Sequence, residues 1–280
     1  MLIKKVGILF HPMVTTTSAK AQELSTFLRS RGIDVWLCSS WETETACEYL
    51  DGTDLILTTG GDGTILRASQ LALENQIPIT GINMGKLGFL TEIKADEAVD
   101  KMPELLEGKV WIDERAMLEA EILAGPNESP SKNYYALNDI VVARGSIARL
   151  IHINASIDNI PLTNYRADGV ILSTATGSTG YSLSARGPIL YPQSTDILLV
   201  PIVPHLIMAY NLVLSGSSVI KLQIETTHQA TISVDGHTNI ALSNGAIVVV
   251  KQSTRKTRFL RLEPRDSFYN FLEEKLRGKR

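Results

Sequence analysis

Cysteine is nearly absent from this chain: Cys38 and Cys47 are the only two among 280 residues. Nine positions apart, they match neither a metal knuckle nor a redox pair, and two thiols build no disulfide framework. Both read as buried small apolar residues of a reducing compartment. Surplus positive charge is also missing. The 27 Lys and Arg face 30 Asp and Glu, a net charge of −3, so no bulk field exists to hold a phosphate polymer or a membrane surface. The amino terminus lacks the long apolar stretch and small-residue cleavage site of a secretion signal. Residues 197–220 contain no Asp, Glu, Lys or Arg and are long enough to cross a bilayer. Pro201, Pro204, His205, Asn211 and the Ser-Gly-Ser-Ser run at 215–218 interrupt them, so two short buried strands around a turn are expected instead. A soluble, cytoplasmic protein follows, with no membrane and no nucleic-acid partner.

Several catalytic templates are absent too. There is no G-x-x-x-x-G-K-[ST], because the stretch Gly81 to Lys86 has the wrong spacing and continues into Leu87. Gly61-Asp62-Gly63 lacks the third glycine of the dinucleotide fingerprint, and neither H-E-x-x-H nor G-x-S-x-G occurs.

What is present is an ordinary globular composition, 44% apolar and 20% charged, with length for about two domains of roughly 150 residues. Such a chain buries about three quarters of its unfolded surface and needs no disulfide or metal staple. Short apolar runs at Val6–Phe10, Ile33–Leu37, Asp54–Leu57 and Ile77–Ile82 alternate with helix-length segments. Among these, 17–30 places Ala21, Leu24, Phe27 and Leu28 on one face, and 95–106 ends at Gly108. This is the pattern of a Rossmann-like α/β domain with a parallel sheet, expected over 1–108 and joined by 263–280. Near Val110 the period changes to two, at 117–122, 151–157, 219–225 and 230–234, with a turn-rich loop at 125–131. An all-β antiparallel, sandwich-like domain is expected over 109–262. Asp266-Ser267 is expected to cap a carboxy-terminal helix running to about Leu276, with Phe268, Phe271 and Leu272 on it.

The sharpest local feature is Gly60-Gly61-Asp62-Gly63-Thr64, between the strand ending at Leu57 and a helix expected over 65–73. Glycines at a strand-to-helix turn leave backbone amides uncovered for phosphate oxygens, and the helix dipole assists. An Asp there adds like charge, which makes sense as a base or as a ligand of a phosphate-borne magnesium ion. The plainer reading is a tight turn with a capping Asp. A second polar cluster, Thr174 to Ser182, follows the strand Val170–Leu172; it can offer donors to a ligand and an aromatic face, or form an elaborate helix cap.

These residues resemble the NAD kinase family. The Gly60–Thr64 loop is shared by a kinase superfamily that also holds diacylglycerol, sphingosine and phosphofructokinases. Gly81 to Leu90, Leu137-Asn138-Asp139, and Arg166 to Val170 continuing through Thr176 to Ser184 are similar to NAD kinases specifically, with Pro204-His205 and Asp235-Gly236 in order downstream. The resemblance implies transfer of the ATP γ-phosphate to the adenosine ribose 2′-hydroxyl of NAD, giving NADP, with Mg2+ on the phosphates. It implies that 1–108 binds nucleotide and 109–262 binds NAD. Asp62 would be the proton acceptor, Gly63 and its loop the phosphate cradle, and Arg67 a charge partner. Asn138 and Asp139 would hold ribose hydroxyls. Arg166, Asp168, Thr176, Thr179, Gly180, Tyr181, Ser182, Leu183 and Ser184 would line the NAD site, with Arg149 and His237 as further polar ligands. A homodimer or homotetramer is implied as well. The metal ligands stay open. The chain departs from the family at Ala175 and Gly180, where Pro and Ala are common, and at 206–211, where a Ser/Thr-containing run ends in Arg-Pro. Two alternatives remain: a kinase of a lipid or sugar hydroxyl on the same scaffold, and a non-catalytic dinucleotide-binding regulator.

Overall fold

The computed structural model describes residues 3–85, 88–123, 132–145, 149–205, 210–265 and 267–277. The chain divides into two compact units, Met1–Glu114 with Thr257–Arg280, and Arg115–Lys256.

In the first unit strands and helices alternate: β1 (Lys5–Phe10), α1 (Thr15–Ser30), β2 (Asp34–Ser39), α2 (Thr43–Cys47), β3 (Leu55–Gly60), α3 (Asp62–Ala72), β4 (Ile79–Asn83), β5 (Ile93–Lys94) and α4 (Ala98–Leu106). The sheet is parallel in the order β2-β1-β3-β4, with β5 beside β4. All six residues of β3 are buried, as a strand covered on both faces requires. Ala21, Leu24 and Leu28 of α1 join Ile8, Leu57 and Ile82 in one core. Gly7 leaves room for the Trp36 indole on the neighbouring strand, and Trp36 Nε1 donates to Thr53 Oγ1 at 3.0 Å. Because β2 and β3 lie on opposite sides of β1, the strand order reverses between β1 and β3. In parallel sheets ligands bind at the carboxyl ends of strands at such a reversal.

The second unit is all β. β6 (Trp111–Leu123) leads into it, followed by β7 (Asn133–Ala136), β8 (Asp139–Arg144), β9 (Ile151–Ile157), β10 (Ile160–Ala167), β11 (Gly169–Ser173), a 3-10 turn at Gly177–Thr179 and a single helical turn, α5 (Tyr181–Ser184). β12 (Ile197–Ile202), β13 (Leu212–Leu214), β14 (Ile220–Glu225), β15 (Ala230–Val234), β16 (Thr238–Leu242) and β17 (Ile247–Arg261) complete it. One antiparallel sheet runs β10-β9-β14-β17, with β6 on β17 and β7 on β6. The other runs β13-β12-β11-β8-β15-β16. They face each other through one core, where Ile140, Val170 and Leu199 meet Ile153, Leu222 and Val248. The outer face of the second sheet is also covered: Val141, Ile171, Leu198 and Val200 pack under Ala185 and Leu190. That is why β8, β11 and β12 read as continuous apolar runs while β9 and β14 alternate. β17 returns the chain to the first unit, where Phe259 pairs in parallel with Ile79. The last helix, α6, spans Ser267–Arg277.

The fold class expected from sequence is the one observed. Four local expectations are corrected. Cys47 is exposed, because the short α2 turns it outward; only Cys38 is buried. α3 begins at Asp62 rather than Ile65, since an acidic side chain in the first turn complements the helix dipole and extends the helix backward. Asp54 lies before β3, its carboxylate accepting from the backbone N–H groups of Lys4 and Lys5 at 2.7 and 2.9 Å. β13 is only partly covered, with Val213 54% exposed, because it is the edge strand of its sheet. The expected loop at 125–131 and the cap at Asp266 lie outside the described residues. Among the described residues no helix is long and apolar enough to cross a membrane.

Candidate functional site

In the first unit β3 runs through Gly60 and Gly61 directly into α3. Nothing lies within 4 Å of where a Cβ would stand at Gly61 or Gly63, so the backbone there is open. Gly60 is closed on its inner side, where Thr64 Oγ1 occupies the place of a side chain. Asp62 is the first helical residue. Its Oδ2 accepts the Phe89 N–H at 2.8 Å and its Oδ1 the Leu90 N–H at 3.1 Å. Two backbone donors thus fix the plane of the carboxylate while each oxygen keeps a further lone pair. A Cβ on Gly88 would collide with Asp62 Oδ1, so glycine is required for this approach. Arg67 lies over the Trp41 ring, 5.6 Å from its centroid.

In the second unit a cavity of about 340 Å³ is lined by Asn138, Asp139, Val141, Tyr181, Ser233, Asp235 and Gly236. Its organiser is Asp235. With Gly236 it forms the centre of the three-residue turn between β15 and β16, closed by the His237 N–H on Val234 O at 3.2 Å; both central residues have positive φ (49° and 72°), the conformation that makes Asp-Gly a strong hairpin signal. The Asp235 carboxylate accepts the N–H groups of Leu137, Asn138 and Asp139 at 2.9, 2.7 and 3.1 Å. Burial pushes the Asp139 carboxyl from 3.8 up to about 7, and the Asp235 charge adds to the effect. Burial raises Asp235 as well, against the pull of those three amides and of His237. Because Asp235 serves three N–H donors as an anion, Asp139 is the member of the pair that takes up the proton first. Asn138 Oδ1 and Ser182 Oγ are buried with no hydrogen-bond partner among the described residues. For an Asn lining a cavity, that leaves an acceptor for a ligand donor.

The hydroxyl-rich segment after β11 is mostly internal scaffold. Thr174 Oγ1 donates to Leu137 O at 2.6 Å and accepts the Gly177 N–H at 3.0 Å. Ser178 Oγ donates to Ala175 O at 2.6 Å. Buried Thr176 accepts from Arg115 Nη1 at 3.3 Å, and Thr179 Oγ1 donates to Thr176 O at 3.3 Å. These bonds hold the Leu137–Asn138 backbone in place and bring Gly180 and Tyr181 beside it. A Cβ on Gly180 would stand 3.5 Å from Asn138 Nδ2. Ser182, Leu183 and Ser184 form the helical turn behind.

Other expected residues lie elsewhere. Asp139 pairs with Ser173 at one end of the β8–β11 ladder, whereas Asp168 contacts Arg144 at the other, roughly 15 Å along the strand. Arg166 is exposed on β10, and Arg149 Nη1 meets His228 Nε2 at 3.0 Å. His237 sits behind the turn, its Nδ1 3.1 Å from Asp235 O. Val141, Ser233 and Trp41 were not singled out from sequence, and Gly88 was seen only as part of the Gly81–Leu90 motif. Asp235 was seen only as part of a motif, although its Asp-Gly turn between two alternating strands was legible. Of the 206–211 departure, 206–209 lie outside the described residues.

Two family models match the chain, the ATP-NAD kinase N-terminal domain over residues 10–110 and the ATP-NAD kinase C-terminal domain over 137–262. An NAD kinase of Dehalococcoides mccartyi is 46% identical over 278 residues, covering 99% of this chain and 97% of that one. The chain belongs to the NAD kinase family. An NAD kinase of Chloroflexus aurantiacus is 36% identical over 276 residues, 99% of each chain. Among solved structures, yeast NADH kinase complexed with NADH superimposes with a TM-score of 0.88 at 27% identity, covering 99% of this chain and 88% of that one. An NAD kinase from Archaeoglobus fulgidus in complex with ATP gives a TM-score of 0.78 at 25% identity, covering 98% of each.

Proposed function

We propose that this enzyme of the NAD kinase family transfers the γ-phosphate of ATP to the adenosine ribose 2′-hydroxyl of NAD, producing NADP. The observation that carries the reading is Asp62: a carboxylate oriented by two backbone amides, at a helix N-terminus, beside open glycine backbone. Relatives solved with NADH and with ATP support the two substrates.

Phosphoryl transfer asks for alignment and charge neutralisation more than covalent chemistry. Open amides around Gly61 and Gly63 cradle the phosphates, and Arg67 lends positive charge. Asp62 takes the proton of the 2′-hydroxyl as that oxygen bonds to the γ-phosphorus and the β–γ bridging oxygen leaves with ADP. A positioned base of this kind contributes about 10²–10⁴ in rate. Asn138 and Asp139 hold the ribose hydroxyls, and Tyr181 and Gly180 shape the surface beside them. Thr176, Thr179, Ser182, Leu183, Ser184 and His237 support that pocket; Arg149, Arg166 and Asp168 serve more distant parts of the dinucleotide. Mg2+ bound to the triphosphate would offset the repulsion between those phosphates and Asp62. Asp62, whose two oxygens each keep a lone pair beyond the Phe89 and Leu90 amides, is the carboxylate that would share in holding the ion. The first unit binds the donor nucleotide and the second NAD. The enzyme works in the cytoplasm, in keeping with two free thiols, as a homodimer or homotetramer.

The test is incubation with NAD and MgATP, read by an NADP-specific dehydrogenase. NADP is expected; its absence from a folded sample with any phosphoryl donor overturns the reading.

A further inference from the structure

Trp41 is 50% exposed, while Trp36 nearby in sequence is buried. An indole is costly to leave in water, and this one is not idle on an open surface. The His11 ring meets it edge-on at 5.9 Å and 69°, and the Arg67 guanidinium lies over it. His11 also borders the glycine loop, its Cβ 3.6 Å from where a Cβ of Gly60 would stand. Next to it, Met13 donates its N–H to His11 Nδ1 at 3.3 Å and is 72% exposed.

These side chains follow three adjacent strands. Gly60 ends β3, His11 follows β1, and Trp41 follows β2, all at the carboxyl edge where the strand order reverses. Trp41 therefore stands two strand spacings from the glycine loop, about 10 Å at roughly 4.8 Å each. A triphosphate whose terminal phosphoryl group lies at Asp62 extends over a comparable distance before its nucleoside begins. Beneath the loop the Thr64 hydroxyl is buried and has no hydrogen-bond partner among the described residues.

We propose that Trp41, stiffened by Arg67 and His11, is the stacking platform for the base of the nucleoside triphosphate donor. The idea rests on the kinase reading above and deepens it. Recognition of the donor then extends beyond its phosphates, so a nucleotide is preferred to inorganic tripolyphosphate or polyphosphate. Stacking tolerates any base, because every base presents a π face, so the platform selects nucleosides without selecting adenine.

The experiment uses the full chain with W41A and W41F, each checked for unchanged thermal unfolding. W41A is expected to raise KM for ATP about tenfold while KM for NAD and kcat hold, with W41F within about threefold of the wild type. Activity with tripolyphosphate, if present, is unchanged by either variant. Independently of turnover, ATP without NAD is expected to quench wild-type tryptophan fluorescence, and the quench is lost in W41F, where Trp36 and Trp111 remain. An unchanged KM for ATP in W41A, a rise in KM for NAD instead, or an equal quench in W41F each overturns the platform. Any of these can occur in an enzyme that still makes NADP, so the platform fails separately from the kinase reading. Failure to make NADP leaves the fluorescence test standing.

Discussion

Gly88 shows how little room the Asp62 carboxylate has. Replacing it with Ala puts a methyl group against Oδ1 and forces the carboxylate off the Phe89 and Leu90 amides. G88A is expected to lower kcat at least tenfold with KM for ATP changed far less, as steady-state kinetics can check; unchanged kcat would mean the two amides do not orient the base. Asp139 makes a pH prediction. Folded, its carboxyl binds a proton up to about pH 7, well above the usual 3.8. Between those values the unfolded chain holds fewer protons, so this group's stabilising contribution is present below about pH 4 and is lost as pH rises through 7. D139N removes it. Urea midpoints measured from pH 5 to 8 are expected to fall less steeply in D139N than in the wild type; parallel curves would contradict the assignment. Asp62 and Asp139 were legible as candidates because each sits in a motif. Gly88 sits in the Gly81–Leu90 motif, but its contact with Asp62, 26 residues away, was not legible, and Trp41 was not marked at all, since its neighbours come from adjacent strands.

At the level of elements, two buried ionic clamps fix the backbones that carry those residues. Asp235 bonds three successive amides of the β7–β8 connection. D235A leaves them without their anion and is expected to cost about 3 kcal/mol, seen in denaturant unfolding. In the first unit, Glu92 Oε2 meets Arg261 Nη1 at 2.9 Å, both side chains 7% exposed. Glu92 Oε1 accepts the Leu262 and Glu263 N–H groups at 2.8 Å each. Arg261 Nη1 also donates to Leu90 O, and Leu90 N–H reaches Asp62. Removing one partner of a buried pair strands the other, so E92A is expected to lose about 3–5 kcal/mol, with kcat falling too. A loss under about 1 kcal/mol would show that Arg261 is held by its other partners alone. The strands and helices around these clamps were readable from hydrophobic period, because both-face burial and one-face burial leave different patterns. The clamps were not, since Glu92 and Arg261 are ordinary surface types whose burial depends on a pairing 169 positions apart.

Across the whole molecule, the change from alternating strand and helix to period-two strands near Val110 announced an α/β and an all-β architecture, and the structure has both. What composition could not show is that β17 carries the chain back to the first sheet, because a long strand of mixed polarity gives no signal of where its end pairs. The account as a whole stands on Asp62 as the group that deprotonates the acceptor. The most direct measurement is the rate of NADP formation from NAD and MgATP by wild type and D62N, with unfolding of both followed by calorimetry. The account predicts NADP from the wild type and a fall of about 10²–10⁴ in kcat for a still-folded D62N. A folded D62N that turns over at the wild-type rate would contradict it.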